Sequence, residues 1–551
     1  MSKNLRALAS KKGIENNLFN KMGELAQDSG TLSDEKLKKL ADEFLIGNAT
    51  TFGVTTFYDF LKPENKGKKA YVCNGTACLC SGKQDQVQLA LEKHLKPTEI
   101  GHMTCLGRCH ENGAFQYKGQ NYSKKSPTQI DQIFNNKKID HTDQYAAVSH
   151  GNGTLTSSFE GFHFLEQLLK NTLKKGSKQC LKEIQDSQIR GRGGAGFPMG
   201  FKLQSARDTP SDIRYLVCNA DEGDPGAYSD RYLMEKQPFM VLFGMLVAGF
   251  AMKSNWGILY IRAEYPDSAI VIQDAIDQLK KIGLIGENIL GSDFHFHFKI
   301  IRAQGSYICG EETALLSSIE GQRPEVRIRP PYPTQSGLFG KPTVVNNVET
   351  LAALYHIFKT SGKEYATLGT EKSKGTKLIS LDGHFKKPGI YEVEMGTPLE
   401  FIIYDLGGGF NVPIKAFQIG GPLGGIVPLH KISELSIDFE SFANAGFLLG
   451  HATIVCIPET FPMVQYLEHL FEFTSFESCG KCFPCRLGAK RGQELLTKAR
   501  TEKEYQINKE LFNDLLDTLE QGSLCALGGG LPLPVKNTLM YFEDEMSEFF
   551  S

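Results

Sequence analysis

Eight of the thirteen cysteines in this 551-residue chain fall into two sets of four. Cys73 and Cys78 are separated by four residues, and Cys105 and Cys109 by three. Near the other end, Cys479, Cys482 and Cys485 are answered, after thirty-nine intervening residues, by Cys525. Four thiolates on one centre are the donor set of an iron–sulfur cluster. The chain must therefore fold so as to gather four sulfurs twice, and two such centres imply electron traffic. Cys80 competes with Cys78 for a place in the first set, and spacing favours Cys78. Cys180, Cys218, Cys309 and Cys456 fit no ligand set and read as small buried hydrophobes.

Length alone calls for several domains. Lys and Arg total 61 against 63 Asp and Glu, so no chain-wide field draws nucleic acid or an anionic membrane. The longest apolar run, residues 239–252, has fourteen residues and contains Gly244 and Gly249. A spanning helix needs about 20, so a buried helix is expected and no membrane span. The opening Met1-Ser2-Lys3-Asn4-Leu5-Arg6 has no apolar stretch of the signal-peptide kind. Many cysteines without such a leader point to reduced thiols and a cytoplasmic chain.

The first sixty residues read as short helices, with Leu37, Leu40, Phe44 and Leu45 on one stripe and Ser33 as cap. Ala70-Tyr71-Val72 reads as a strand delivering Cys73, and residues 100–104 as a second segment delivering Cys105. Residues 118–149 are mostly polar and read as a boundary or linker. Residues 160–190 look helical. From about 190 to 365 strand candidates such as 215–218 and 257–261 alternate with amphipathic helices such as 268–282. Residues 375–435 are β- and glycine-rich, and the last hundred are helical apart from the cysteine loops. In Phe294-His295-Phe296-His297-Phe298 the histidines share one strand face and read as solvent-facing.

Five blocks carry chemistry. Gly191-Arg192-Gly193-Gly194-Ala195-Gly196-Phe197 satisfies Gly-x-Gly-x-x-Gly, a density that lets backbone N–H groups approach a phosphate. It follows a helix rather than a clear strand, which counts against an ordinary Rossmann fingerprint. Asn219, Asp221, Glu222 and Asp224 follow an apolar strand, where an open α/β sheet binds ligands. Gly305 to Thr313 repeats glycine and paired acids; residues 327–333 add Arg329 and Tyr332; residues 341–349 add Asn346 and Asn347. Singly, each of these last three reads equally well as a surface turn. Together the blocks offer phosphate donors, polar groups for a ring and an aromatic face, which a nucleotide cofactor uses.

These blocks, in this order and with the Cys479/Cys482/Cys485…Cys525 set, resemble the flavoprotein subunit of NADH dehydrogenases. That family includes the flavin subunit of respiratory complex I and the diaphorase subunits of NAD-reducing hydrogenase and NAD-dependent formate dehydrogenase. The resemblance runs from about 180 to 545. Residues 1–145, through Thr76-Ala77-Cys78 and Thr104 to Cys109, are similar to the family's thioredoxin-like [2Fe-2S] companion, here fused in front.

The resemblance implies an α/β multidomain chain: a helical N-terminal region (1–60), a thioredoxin-like [2Fe-2S] domain (61–145), a linker helix with a Rossmann-like FMN/NAD domain (146–372), a β-grasp domain (373–440) and a helical [4Fe-4S] domain (441–551). It places FMN on Gly191, Arg192, Gly193, Gly194, Gly196, Lys202, Asn219, Asp221, Glu222, Tyr307, Gly310, Glu311, Glu312, Asn346 and Asn347. NAD(H) falls to Phe197, Asp224, Arg329 and Tyr332, with Glu312 also toward its ribose. Ser205 and Asp224 depart from the respiratory pattern. The implied reaction passes hydride between NADH and FMN, then single electrons through the clusters to or from a partner, with no side-chain acid or base required. Expected partners carry further iron–sulfur clusters and a substrate-oxidising site. The segments 420–425 and 523–529 point to formate dehydrogenase, with an NAD-reducing hydrogenase and complex I as alternatives. An electron-transfer scaffold without nucleotide turnover is the non-enzymatic one. Because the flavin blocks and C-terminal cysteines all lie within 191–528, the chain from Phe159 onward is expected to fold without residues 1–145.

Overall fold

The structure, a computed structural model, describes residues 13–15, 17–29, 32–137 and 139–551, without the side chains of residues 19 and 26–29. The opening stretch read for a signal peptide lies outside the described residues.

A four-stranded sheet near the N-terminus holds β1 (Ala70–Cys73), β2 (Ile100–Met103), β3 (Phe115–Tyr117) and β4 (Gln120–Tyr122), in the order β2-β1-β3-β4. β1 runs parallel to β2 and antiparallel to β3, with helices Gln84–Glu92 and Pro127–Phe134 packed on it, the thioredoxin-like arrangement. After β5 (Ala146–Ser149) comes a parallel sheet of β6 (Tyr215–Ala220), β7 (Trp256–Ile261), β8 (His297–Arg302) and β9 (Thr343–Asn347), ordered β8-β7-β6-β9. Strand order reverses between β6 and β9, and such a switch point leaves a crevice at the strands' C-terminal ends. The third sheet is β13-β12-β14-β10-β11-β5, from β10 (Thr376–Leu381), β11 (Gly389–Glu394), β12 (Ile414–Ile419), β13 (Ile426–Pro428) and β14 (Thr453–Pro458). The helical C-terminal part follows, from Met463–Glu477 to Pro532–Tyr541.

Both faces of the parallel sheet are covered, as period-2 side chains require. Leu216, Cys218, Leu259 and Ile261 join a core with the buried helix Pro238–Met252 and helix Val348–Lys359. Tyr215, Val217, Ile258 and Tyr260 face the other way, onto Ile14, Leu18, Met22, Leu40, Phe44 and Tyr58. Helix Asp34–Phe44 forms where its stripe predicts, with the Ser33 side chain accepting from Lys36 N at 3.4 Å. Its apolar face is one wall of the parallel-sheet core, so the described part of residues 1–60 is no separate unit. Among the described residues no single helix is long and apolar enough to cross a membrane.

Three other expectations are corrected. Residues 118–149 are not a linker: they hold β4, helix Pro127–Phe134 and β5, which pairs in parallel with β11. The polar composition reflects an edge strand and an exposed helix face. The sheet begun at β10 continues past residue 440, because β14 pairs with both β12 and β10. The two halves also share cores: Ala77, Cys105 and Cys109 belong to the same apolar cluster as Leu216 and Leu259. Asp143, nearly buried, pairs with Arg108 at 2.5 Å, His110 at 2.9 Å and Arg231, in the helix after β6. His295 lies just before β8, and it and His297 both pair with Glu287, at 2.6 and 3.1 Å, with side chains about one-third exposed.

Candidate redox site

The glycine-rich loop closes on itself through Gly191 N to Phe197 O at 2.9 Å. Gly194 (φ 124°) and Gly196 (φ 60°) occupy backbone conformations that disfavour a side chain. A Cβ on Gly193 would stand 3.0 Å from the Cβ of Asn347, so the loop lies directly over the end of β9. Arg192, expected among the phosphate contacts, is turned inward: its backbone N–H donates to Thr350 Oγ1 at 2.8 Å, and its buried guanidinium donates to the Lys374 carbonyl. The Arg192 guanidinium is thus engaged within the protein itself.

At the ends of the strands, Cys218 pairs with Asn346 and Asn219 with Asn347. Asn219 Nδ2 donates to Gly310 O at 2.8 Å, tying the second block to the third. Asn347 caps helix Val348–Lys359 by accepting from Glu349 and Thr350 N–H, and it donates to Asp230 at 2.6 Å. Buried polar atoms here without a hydrogen-bond partner among the described residues include Asp221 Oδ2 and Asn346 Nδ2, with Asp230 Oδ1 and His451 Nδ1 beside them. Burial holds the Asp221 carboxyl well above the usual carboxylate range. Unpartnered buried polar groups are rare and mark the place of a missing partner. With the open glycine loop beside them they suit a polar, phosphate-bearing cofactor such as FMN.

The acids divide by what they touch. Glu311 is the cap of helix Glu312–Ile319, accepting from Thr313 N and Ala314 N at 2.9 Å each. Glu222 is buried and accepts from Asp230 N (2.9 Å), Arg231 N (3.1 Å) and Tyr265 OH (3.1 Å). Burial, with Asp230 nearby, pushes its carboxyl up to about 7, against the pull of His451. Burial would lower His451 in turn, but Asp230 at 3.2 Å holds it up to about 9. Glu312 instead faces the mouth, 3.0 Å from Arg329 and 3.6 Å from Lys202. Lys202 also donates to Val345 O at 2.5 Å, and burial lowers it from the ordinary lysine range while Glu312 opposes. Phe197 and Tyr332 stand about half exposed there, with Phe201 edge-on to Phe197 at 5.7 Å. Asp224 accepts from Tyr307 OH at 2.7 Å, so this pair braces the crevice floor. Ser205 is bonded to Thr334 at 2.9 Å.

Both cysteine sets converge. Cys105 and Cys109 sulfurs are 3.4 Å apart, Cys73 is hydrogen-bonded to Cys78, and the charges of Cys73 and Cys78 act on Cys109. Cys80 points elsewhere, into a cluster with Tyr466 and Leu467, and lies beside Asp382. Cys485 neighbours Cys482 and Cys479, and Cys525 neighbours Cys479 and Cys485. A Cβ on Gly528 would stand 2.7 Å from Cys485 Cβ, so that glycine makes room beside the ligands. Two four-thiol sets fit two iron–sulfur clusters. Sequence reading missed Asp230, His451, Arg262, Glu264 and Tyr265. Arg262-Ala263-Glu264-Tyr265 follows β7 at the same sheet edge as the flavin acids, and that placement was the available signal.

Comparison with known proteins agrees with this geometry. Residues 184–356 match the family described as the Nuo51 FMN-binding domain, residues 465–549 the NADH-ubiquinone oxidoreductase-F iron-sulfur binding region, and residues 6–138 the thioredoxin-like [2Fe-2S] ferredoxin. The chain is 41% identical over 364 residues to the NADP-reducing hydrogenase subunit HndC of Solidesulfovibrio fructosivorans, covering 66% of this chain and 74% of that one. It is 37% identical over 385 residues to an NADH-quinone oxidoreductase subunit of Aquifex aeolicus, covering 70% and 88%. A solved NAD+-reducing [NiFe]-hydrogenase chain superposes with a TM-score of 0.85 at 25% identity, covering 97% of this chain and 93% of that one.

Proposed function

The chain belongs to the flavoprotein-subunit family of NADH dehydrogenases, an oxidoreductase family with FMN-binding, [4Fe-4S] and [2Fe-2S] domains, and from that premise we propose that it is the NAD(H)-handling subunit of a hydrogenase. The observation that carries the reading is the crevice between β6 and β9. There the glycine loop lies over Asn347 beside the unpartnered Asp221 and Asn346, with exposed Phe197 ending the loop and exposed Tyr332 opening the segment that Thr334 ties to Ser205.

FMN held there would supply the chemistry of accepting a hydride from NADH and releasing electrons singly. This chain's residues bind and orient. Backbone N–H groups of 191–196 receive the phosphate, Asp221 and Asn346 hold the polar parts of the flavin, and Phe197 and Tyr332 take the adenine between them. Glu312, set between Arg329 and Lys202, orients the nucleotide ribose. Cys479, Cys482, Cys485 and Cys525 hold the [4Fe-4S] cluster, and Cys73, Cys78, Cys105 and Cys109 the [2Fe-2S] cluster. Cys482 and Cys525 are only half-buried, and Phe483, Leu487 and Leu524 beside them are exposed. That apolar rim suits a partner protein carrying further clusters. Eight thiolate ligands suit the reducing cytoplasm.

A hydrogenase partner is supported by the likeness to a hydrogenase chain over nearly the whole length, N-terminal part included. Formate dehydrogenase, suggested by segments 420–425 and 523–529, rests on glycines this chain needs for itself. A Cβ on Gly421 would meet Asp224 at 2.5 Å, and Gly528 lies against Cys485. The test is anaerobic purification with the chain's natural partners. A flavin absorption band bleached by NADH, with a co-purifying protein that exchanges electrons with hydrogen, is expected. An unbleached flavin would leave only a scaffold, and a formate-oxidising partner would overturn the hydrogenase assignment.

A further inference from the structure

The turn after β7 joins the two redox sites. Arg262 N–H donates to Ala220 O at 3.4 Å and Tyr265 N–H closes the turn on Arg262 O at 3.1 Å, so the turn is fixed to the end of β6. The Arg262 side chain, 5% exposed, reaches in two directions. One nitrogen donates to the Glu222 carbonyl in the flavin segment, and another to the Thr104 carbonyl, next to Cys105, at 3.1 Å. The same guanidinium pairs with buried Glu264 at 2.9 Å, and its charge acts on Cys105. Tyr265 packs between the same two segments. Its hydroxyl meets the Glu222 carboxylate, and a Cβ on Gly107 would stand 2.5 Å from its ring. A third link is Gly226 N–H, from the flavin segment, donating to Cys109 Sγ at 3.3 Å.

We infer that Arg262 is a positioning residue for the [2Fe-2S] cluster: it clasps the Cys105 loop to the flavin segment and sets the cluster's reduction potential. The inference rests on the reading that Cys73, Cys78, Cys105 and Cys109 hold that cluster. Reduction adds one negative charge to the cluster. Cys105 and Cys109 are buried, so a neighbouring charge is weakly screened and net local charge is a main lever on potential. Arg262 favours the reduced state, and Glu264 beside it tempers that effect. The two residues therefore have opposite signs.

The experiment is a redox titration of the intact protein followed by electron paramagnetic resonance, with the [4Fe-4S] signal as internal reference. Arg262→Gln is expected to move the [2Fe-2S] midpoint to more negative values and Arg262→Lys to restore part of the shift. Glu264→Gln is expected to move it to more positive values, with the [4Fe-4S] midpoint unchanged throughout. Should Arg262→Gln lose the cluster, Glu264→Gln alone decides. A [2Fe-2S] midpoint unmoved by Glu264→Gln, or moved the same way as by Arg262→Gln, overturns the inference. Absence of any [2Fe-2S] signal from the unaltered protein would instead remove the ligand reading beneath it.

Discussion

Glu222 and Glu312 both come from acid-rich blocks, yet their surroundings give them opposite sensitivities. Glu222 serves buried donors, and each donor left without an acceptor costs about 1–3 kcal/mol. Glu222→Ala is therefore expected to loosen the flavin segment, so that the protein loses FMN on dialysis while iron content, measured by chemical assay, stays intact. Glu312 is partly exposed, and its pair with the one-third-exposed Arg329 contributes about 1 kcal/mol or less, while the more buried Lys202 keeps its bond to the Val345 carbonyl. Glu312→Ala is expected to keep FMN but lose one charge-assisted hydrogen bond to the nucleotide. A loss of about 1.5–3 kcal/mol raises KM for NADH roughly ten- to a hundredfold. Steady-state kinetics beside flavin content separates the two, and equal behaviour would sink the division of roles. At the other centre, Cys482→Ser removes one thiolate. The [4Fe-4S] signal should vanish and partner reduction fall to background while NADH still bleaches the flavin. What the sequence could not disclose was side-chain direction: Arg192 and Glu311 lie in the right motifs, but one turns inward and the other caps a helix.

At the scale of elements, legibility followed the apolar pattern. Helix Asp34–Phe44 carries a clear period of 3.6, while β6, β7, β10 and β11 are short, largely apolar runs, and all form where expected. β5 was missed because Ala146-Ala147-Val148-Ser149 is short, weakly apolar and on a sheet edge, and only its parallel pairing to β11 makes it a strand. β14 was assigned past a boundary because a sheet that recruits a later strand leaves no local sign of it. The same sheet buries Asp382 just after β10, where it accepts from His384 N and Cys456 N at 3.2 Å each. Burial pushes this carboxyl up to about 6, outweighing those contacts. The folded state then keeps a proton that the unfolded chain has already released above its ordinary value near 4. The Asp382 contribution to stability falls as pH rises from about 4 to about 6, by about 3 kcal/mol for a shift of roughly two units. Asp382→Asn carries no such proton, so its unfolding midpoint in urea should lose that slope. An unchanged slope in Asp382→Asn would place the titration elsewhere.

Across the whole molecule, the expectation of two independently folding halves meets a buried carboxylate that decides against it. Glu392 on β11 is fully buried and accepts from Thr154 N (2.8 Å), Leu155 N (3.0 Å) and Thr156 N (2.9 Å), as well as from the hydroxyls of Thr154 and Thr376. Most of these donors lie upstream of Phe159. A chain beginning at Phe159 strips them away, removes β5 from the sheet edge, and leaves Arg231 without Asp143. Breaking one buried charge pair costs about 3–5 kcal/mol, a large share of the roughly 5–15 kcal/mol that holds a typical domain. The helices before residue 60 also leave one face of the parallel sheet uncovered when they go. The chain from Phe159 is therefore expected to be insoluble or flavin-free. A chain from residue 140 keeps Asp143, β5 and the Thr154–Thr156 donors, so it should give more soluble protein than the shorter one, yet less than the full chain because the sheet face stays bare. Supplying residues 1–158 as a separate polypeptide should recover FMN binding, read as flavin absorbance per protein. Stoichiometric FMN in the chain from Phe159 alone would show that the shared core is dispensable and that the fused domain is an accessory rather than part of the flavin site's foundation.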